Sequence, residues 1–386
     1  MVAPLSNIKV IDLGTMITAP LAAMMLADLG AEVIKVERNG GGDPFRSFNG
    51  SLYSPHFVSF NRNKTSVVLD LQTDEGREAL LRLVDDADVV LDNFRPGVLD
   101  RLKLSSQVLQ KRNPRIIHCS ITGFGESGPY RDRPAYDTVG QALSGIMGLS
   151  IDPDAPRMSG TTISDNVTGM YACYGIMAAL LERQTTQKGR KIEVNMLEAS
   201  VAFMPDSLMN LEMLGLHNSP YTRVSFSQCY VLRCADEKLI AIHLSSPDKF
   251  WRGLLNAIEA VELGDDSRFA TRKARIESYL ILSDELQKRF TTRTRAEWVE
   301  RLEEQDVPFA PVHRIGDVFA DPQLEALGSL KPMTLADGTV VRCVQAPLLF
   351  DGQRPSAWSP APLFVDASNA TETPDAQAKK VRRTNG

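Results

Sequence analysis

Residues 8–37 read IKVIDLGTMITAPLAAMMLADLGAEVIKVE, and the fold follows from them. Ile8–Leu13 is a short apolar run suited to a buried strand. Thr18–Leu29 is rich in Ala, Leu and Met, which favour helix. Gly30 supplies a helix stop, and Glu32–Glu37 returns to β-branched residues. The same rhythm recurs in Ser66–Leu71, a helix over Asp74–Asp85, Ala87–Leu91 and Arg115–Ile121. Strands alternating with helices predict an α/β fold whose mostly parallel sheet is covered on both faces. Such sheets bind ligands outside the carboxyl ends of their strands. The site is therefore expected in the loops after Glu37, Leu91 and Ile121.

Further along, helices are expected over Tyr136–Gly148, Ser164–Glu182 and Met196 to about Leu214, with a strand at Lys191–Asn195. This gives a large domain over 1–214. The pattern weakens over 215–228 (GLHNSPYTRVSFSQ), which reads as a linker. A smaller α+β domain follows over 229–320, with strands near Tyr230–Cys234 and Leu239–Leu244 and helices near Pro247–Ile258, Arg272–Phe290 and Arg295–Glu304. Residues 363–386, with four Ala and three Thr, read as a surface tail, and their KKVRR run (379–383) as a solvated charge cluster.

The composition narrows the function. The chain has 386 residues, with 43 Lys+Arg against 48 Asp+Glu and a formal charge of −5. That balance argues against nucleic acid as the main partner. Five scattered cysteines suggest a reducing compartment and no disulfide framework. Residues 1–7 lack the basic and apolar regions of a signal peptide, and apolar stretches are interrupted well short of a membrane span. The five histidines never form HxH or HExxH, so no metal site is expected. A cytoplasmic protein without a membrane partner is the expectation.

Several motifs bear on chemistry. Gly123–Gly128 fits GxGxxG after a strand, but a dinucleotide site must open straight into a helix. Pro129 and Pro134 follow instead, so a Gly-rich turn is expected. Gly40-Gly41-Gly42-Asp43 reads, on composition, as a flexible loop. Asn93-Phe94-Arg95-Pro96-Gly97 reads as a strand-to-helix turn with Pro in the first helical turn. Arg38, Arg95 and Arg101 converge with Phe94 on the ligand-binding edge, a set suited to a phosphorylated, nucleotide-like ligand. Asp165, between Ser164 and Asn166, reads as a helix N-cap, a role that Ser164 could fill equally well. A carboxylate there can also act as a nucleophile toward an activated acyl group, with helix N–H groups stabilising the oxyanion.

The chain resembles class III (family III) coenzyme A transferases, a group that includes formyl-CoA transferase, carnitine CoA-transferases and α-methylacyl-CoA racemase. The resemblance spans about Leu5 to Pro362, through LADLGAEVIKVE (26–37), NRNKTSVVLDL (61–71), ADVVLDNFRPGVLDRL (87–102), SITGFGESGPY (120–130), DNVTGMYACYGIMAALLER (165–183), KGRKIEVNMLEAS (188–200) and VPFAPV (307–312). It implies a large Rossmann-like domain rebuilt by a return segment (321–362), and two subunits interlocked as a homodimer. It further implies that Asp165 is the nucleophile of a D-x-x-x-G motif closed by Gly169. CoA-contacting positions carry over to Arg38, Leu69, Leu71, Asn93, Phe94, Arg101 and Tyr136, with Ile17 near the acyl group. Coenzyme A or acyl-CoA would be a substrate, and no permanently bound cofactor is implied.

Three departures shape the reading. Formyl-CoA transferases carry Gln at Ile17 and Lys at Gln72, which argues against a formyl/oxalate specialist. Their GGGGQ loop has no counterpart in residues 215–245. Racemases carry His where this chain has Tyr136, and Tyr, with a pKa near ~10, is a poor base for an α-proton. The expected activity is CoA transfer from an acyl-CoA to a carboxylic acid through aspartyl anhydride and aspartyl-CoA thioester intermediates. The alternatives are a 2-methylacyl-CoA racemase using His118 or another base, and a CoA-binding paralogue without catalysis. Arg157 or Arg223 are candidates for holding a dicarboxylate.

Overall fold

The computed structural model describes residues 3–49, 53–152, 154–158, 160–217, 219–245 and 248–364. The KKVRR run and the expected tail from 365 onward lie outside the described residues. Two compact units divide the chain. Met1–Ile146, Ser159–Pro205 and the described residues from Ala326 form the first, and Met147–Met158 with Asp206–Glu325 form the second.

In the first unit, strands β1 (Lys9–Asp12), β2 (Glu32–Glu37), β3 (Lys64–Val68), β4 (Val89–Asp92), β5 (Ile117–Thr122) and β6 (Lys191–Asn195) build one parallel sheet in the order β3-β2-β1-β4-β5-β6. Successive side chains alternate between its faces. Val10, Val33, Val89 and Ile117 lie under the helices Thr18–Asp28 and Ile163–Thr186, which contribute Ala23, Leu26, Ala172 and Ile176. Ile11, Ile34, Val67 and Val90 face the helices Asp74–Val84 and Ser106–Arg112 through Leu80, Leu83 and Leu109. With both faces covered, most of these strands are dominated by apolar residues, which is why they read as near-continuous runs. Strand order reverses between β1 and β4, so the loops leaving their carboxyl ends part and leave a crevice.

The helix expected over Met196–Leu214 is two helices, Met196–Ala202 and Pro205–Leu214. Pro205 opens the second, where its missing N–H costs nothing. Arg272–Phe290 likewise divides at Ser278 into Arg272–Glu277 and Tyr279–Phe290. The helix beginning after Tyr136 ends at Ser144, where Gly145 turns left-handed at φ 94°.

In the second unit, β7 (Cys229–Arg233), β8 (Leu239–His243) and β9 (Phe309–Pro311) form an antiparallel sheet packed around Trp251, Phe269, Phe290 and Trp298. The stretch expected as a linker over 215–228 belongs to this unit and contains the helix Thr222–Phe226. After it the chain re-enters the first unit through a hairpin, β10 (Leu330–Thr334) and β11 (Val340–Val344). Val340 and Val344 are mostly exposed, so the hairpin lacks the strong apolar signal of the main sheet. None of the described helices is long and apolar enough to cross a membrane.

Candidate active site

One side chain ties the two loops of the crevice together. Asn93, just beyond β4, accepts the Thr15 N–H on Oδ1 at 2.9 Å. Its Nδ2 donates to the Thr15 carbonyl at 2.8 Å and to Thr18 Oγ1 at 2.9 Å. Asp92 fixes the same turn, its Oδ1 accepting the Phe94 N–H at 3.0 Å and its Oδ2 lying 2.8 Å from His118 Nε2. Pro96 precedes the following helix rather than entering it. Gly97, left-handed at φ 78°, is the residue before Val98–Arg101.

Beneath the crevice lies a buried ionic network. Lys35 Nζ is 3.0 Å from Asp43 and 3.8 Å from Asp12, while Lys64 Nζ is 2.9 Å from Asp12. Lys35 also donates to the Gly14 carbonyl, and Lys64 to the Pro20 carbonyl, each at 2.8 Å. Burial pulls the Lys64 ammonium down to about 8 despite its partner Asp12, with the like charge of Lys35 adding to the effect. Asp43, expected in a flexible loop, is instead buried and accepts the Phe45 N–H at 2.9 Å. Both its carboxylate oxygens also accept the Met16 N–H at 3.2 Å, which holds Met16 at φ 64°. A bulky residue occupies that region only when its surroundings impose it. Glu37 continues the network, accepting from Arg46 at 2.7 and 2.6 Å and from Ser66 at 2.6 Å. These charges fix the loop Gly14–Ile17 from below.

Two cavities open on this frame. One, of about 310 Å³, has apolar walls from Leu13, Leu69, Leu71, Val98 and Phe94, with Arg38 and Arg101 among its lining. Both guanidiniums belong to exposed residues. The other, of about 200 Å³, is lined by Ile17, Asn93, Tyr136 and Asp165. Thr15 and Phe94 line both. The structure thus gathers Arg38, Leu69, Leu71, Phe94 and Arg101 around one cavity, and Ile17, Asn93, Phe94, Tyr136 and Asp165 around the other.

Asp165 is not the helix cap. The cap position is Thr162, and Asp165 sits inside the first turn of Ile163–Thr186. Asp137 Oδ1 accepts the Asp165 N–H at 3.2 Å. The Asp165 carboxylate has no hydrogen-bond or ion-pair partner among the described residues. Burial first, and then the like charge of Asp137, push this carboxyl up from 3.8 to about 7. A partly buried, unpaired carboxylate at a helix start is reactive toward an electrophile once ionised, because little solvation or pairing holds its charge.

Some residues at or beside this cavity escaped the sequence reading. Asp137 gave no motif signal. Arg131 and Arg133 lie in PYRDRP, which reads as a polar loop, yet both line the Asp165 cavity. His118 lines a separate cavity with Ser106 and Lys191, and among the described residues no histidine lines the one holding Asp165.

The chain is similar in sequence to proteins named as CoA-transferases. The chain is 34% identical over 361 residues to a succinate–glutarate CoA-transferase of Agrobacterium fabrum, covering 90% of this chain and 89% of that one. It is 35% identical over 332 residues to an acetyl-CoA:oxalate CoA-transferase of Acetobacter aceti, covering 85% of each. A crystal structure of a CaiB/BaiF family protein from Brucella suis superposes with a TM-score of 0.84 at 30% identity, covering 100% of both chains. The family model for CoA-transferase family III matches residues 5–365, and with these relatives it establishes that the chain is a CoA-transferase belonging to family III.

Proposed function

We propose that this enzyme moves CoA from an acyl-CoA donor to a free carboxylic acid by double displacement on Asp165. The observation that carries the reading is the unpaired, partly buried Asp165 carboxylate, in a cavity adjoining the cleft that holds Arg38 and Arg101. The β3-β2-β1-β4-β5-β6 order is that of a Rossmann-like sheet, whose reversal point suits a nucleotide-bearing ligand. CoA lies along the larger cavity, its phosphates meeting Arg38 and Arg101 and its apolar reach lying against Leu69, Leu71 and Phe94. The thioester then enters the smaller cavity between Ile17 and Tyr136.

Asp165 attacks the thioester carbonyl, giving a mixed anhydride and CoA thiolate. The thiolate attacks the Asp165 carbonyl of that anhydride, releasing the donor acid and leaving an aspartyl-CoA thioester. An acceptor carboxylate attacks this thioester and expels the thiolate. The thiolate then attacks the acceptor carbonyl, giving the new acyl-CoA and free Asp165. The activated bond survives each step, so no ATP is consumed. A homodimer belongs to this reading, supported by the exposed apolar side chains Met170, Tyr174 and Leu181 on the Ile163–Thr186 helix.

The test is chemical trapping. Enzyme incubated with acyl-CoA alone, then hydroxylamine, yields a hydroxamate about 15 Da heavier on the peptide containing Asp165. Asp165→Asn folds and binds CoA but transfers nothing. Full transfer by Asp165→Asn with no adduct in the wild type would overturn the mechanism.

A further inference from the structure

We infer that Arg95 and Arg133 hold the second carboxylate of a dicarboxylic acid acceptor, which makes the smaller cavity selective for short dicarboxylates over monocarboxylates. The inference rests on the double-displacement reading. It starts from the charges that line the cavity. Asp165 is the one acid among the lining residues, beside three arginines, Arg95, Arg131 and Arg133. Arg131 is already engaged, donating to Asp132 Oδ1 at 2.9 Å and to the Glu126 carbonyl at 2.8 Å. The Arg95 guanidinium has no hydrogen-bond or ion-pair partner among the described residues, and that of Arg133 meets only aromatic rings there, 4.6 Å above Tyr130 and 5.8 Å from Phe124. Neither guanidinium pairs with the Asp165 carboxylate among the described residues.

The reaction then decides what these cations can bind. When the acceptor arrives, Asp165 is esterified to CoA through sulfur and carries no charge. A monocarboxylate loses its own charge as its oxygen bonds to the Asp165 carbonyl carbon and the thiolate departs. It offers the arginines nothing in the anhydride. A dicarboxylate keeps its second charge through that step and through the return of the thiolate. Guanidinium–carboxylate pairing is directional and charge-assisted, so it persists in the transition state and favours the dicarboxylate there. A cavity of about 200 Å³ is smaller than the ~300–1,000 Å³ of pockets for drug-sized ligands, which suits a short acceptor.

Acceptor kinetics with succinyl-CoA as common donor test this, because in double displacement kcat/KM for the acceptor reports its own half-reaction. Glutarate and valerate have the same chain length and differ by the second carboxylate. The wild type should favour glutarate by about 100-fold or more, since a site built for a polar group rejects the analogue lacking it. In the Arg95→Gln/Arg133→Gln double variant this ratio should fall toward one, and Arg95→Lys/Arg133→Lys should restore part of it. A wild-type ratio near one, or an unchanged ratio in the Gln variant, would overturn the assignment while transfer to either acid upholds the reaction. If the Gln variant does not fold, the wild-type and Lys-variant ratios still decide. Transfer to neither acid would remove the reaction itself, and the assignment with it.

Discussion

The carbonyl oxygen of Thr18 lies 2.8 Å from the point that a Cβ on Gly169 would occupy, with the Leu21 side chain 3.0 Å from the same point. The helix carrying Asp165 therefore packs backbone to backbone against the helix that begins beside Ile17. Gly169 stands one turn after Asp165 because only glycine allows that approach.

Gly169→Ala should consequently lower the melting temperature, although alanine by itself favours helix by about 1 kcal/mol. The added methyl pushes the helix away from Thr18 and displaces Asp165. A misplacement of even ~1 Å can cost on the order of 100-fold in rate. Thermal melts and transfer assays check this, and a variant that is both more stable and fully active would show that the close approach is incidental.

The Asp165 carboxyl, raised to about 7 by burial and by Asp137, should make transfer increase as pH rises through 7, since the nucleophile is the ionised form. The same shift affects stability. The folded protein holds this proton more tightly than the unfolded chain, so stability is lost progressively from about pH 4 up through about pH 7. Asp165→Asn escapes that loss. Its melting temperature relative to wild type should therefore rise between pH 5 and pH 8. A pH-independent difference would mean that the group titrates normally.

Arg101→Ala should leave the fold intact and weaken CoA binding by roughly 10- to 100-fold, the scale of a lost charged hydrogen bond. Isothermal titration with CoA gives the answer, and an unaltered dissociation constant places Arg101 outside the binding site.

Lys64 is fully buried against Asp12, the Pro20 carbonyl and, at 2.8 Å, Asn61 Oδ1. Lys64→Met should destabilise the protein by about 3–5 kcal/mol, because it takes the nearer of two cations from the buried Asp12 carboxylate and leaves only Lys35, 3.8 Å away. Denaturant unfolding measures this directly, and a loss below ~1 kcal/mol would indicate that the network relaxes around the gap.

Light scattering should find a dimer. Tyr174→Glu/Leu181→Glu, on the exposed apolar side chains of the Ile163–Thr186 helix, should dissociate it or prevent its folding. A wild-type monomer would instead leave those side chains without a partner.

The main sheet was legible because its strands are buried on both faces and announce themselves as apolar runs at βαβ spacing. Arg38 and the Asn93 turn were legible for a related reason, since they follow such runs directly. The ionic network was not. Asp12, Lys35, Asp43 and Lys64 stand in four separate segments, each indistinguishable from solvated charge until the parallel register brings them together. Asp165 shows the limit of local rules: propensity placed it as a cap, whereas the helix begins two residues earlier and Asp137 takes the backbone N–H. Arg131 and Arg133 were hidden by prolines that mark a loop without saying what it faces.

Arg46, which pairs with Glu37 beneath the larger cavity, also donates to the carbonyl of Pro362 at 3.1 Å, across 316 residues of sequence. Tyr53 Oη reaches the Ala361 carbonyl at 2.7 Å, and Asn63 accepts the Ser359 N–H at 2.6 Å. At the ribosome's pace of roughly 5–20 residues per second, β1 to β3 wait on the order of 15–60 s for these partners to be made. Throughout that interval the nascent sheet lacks its final clasp, while the second unit is synthesised whole in between. A stop codon shortly before Ser359 would therefore remove all three of these contacts at once, and the unfinished first unit becomes a natural client for chaperones until its partners are made.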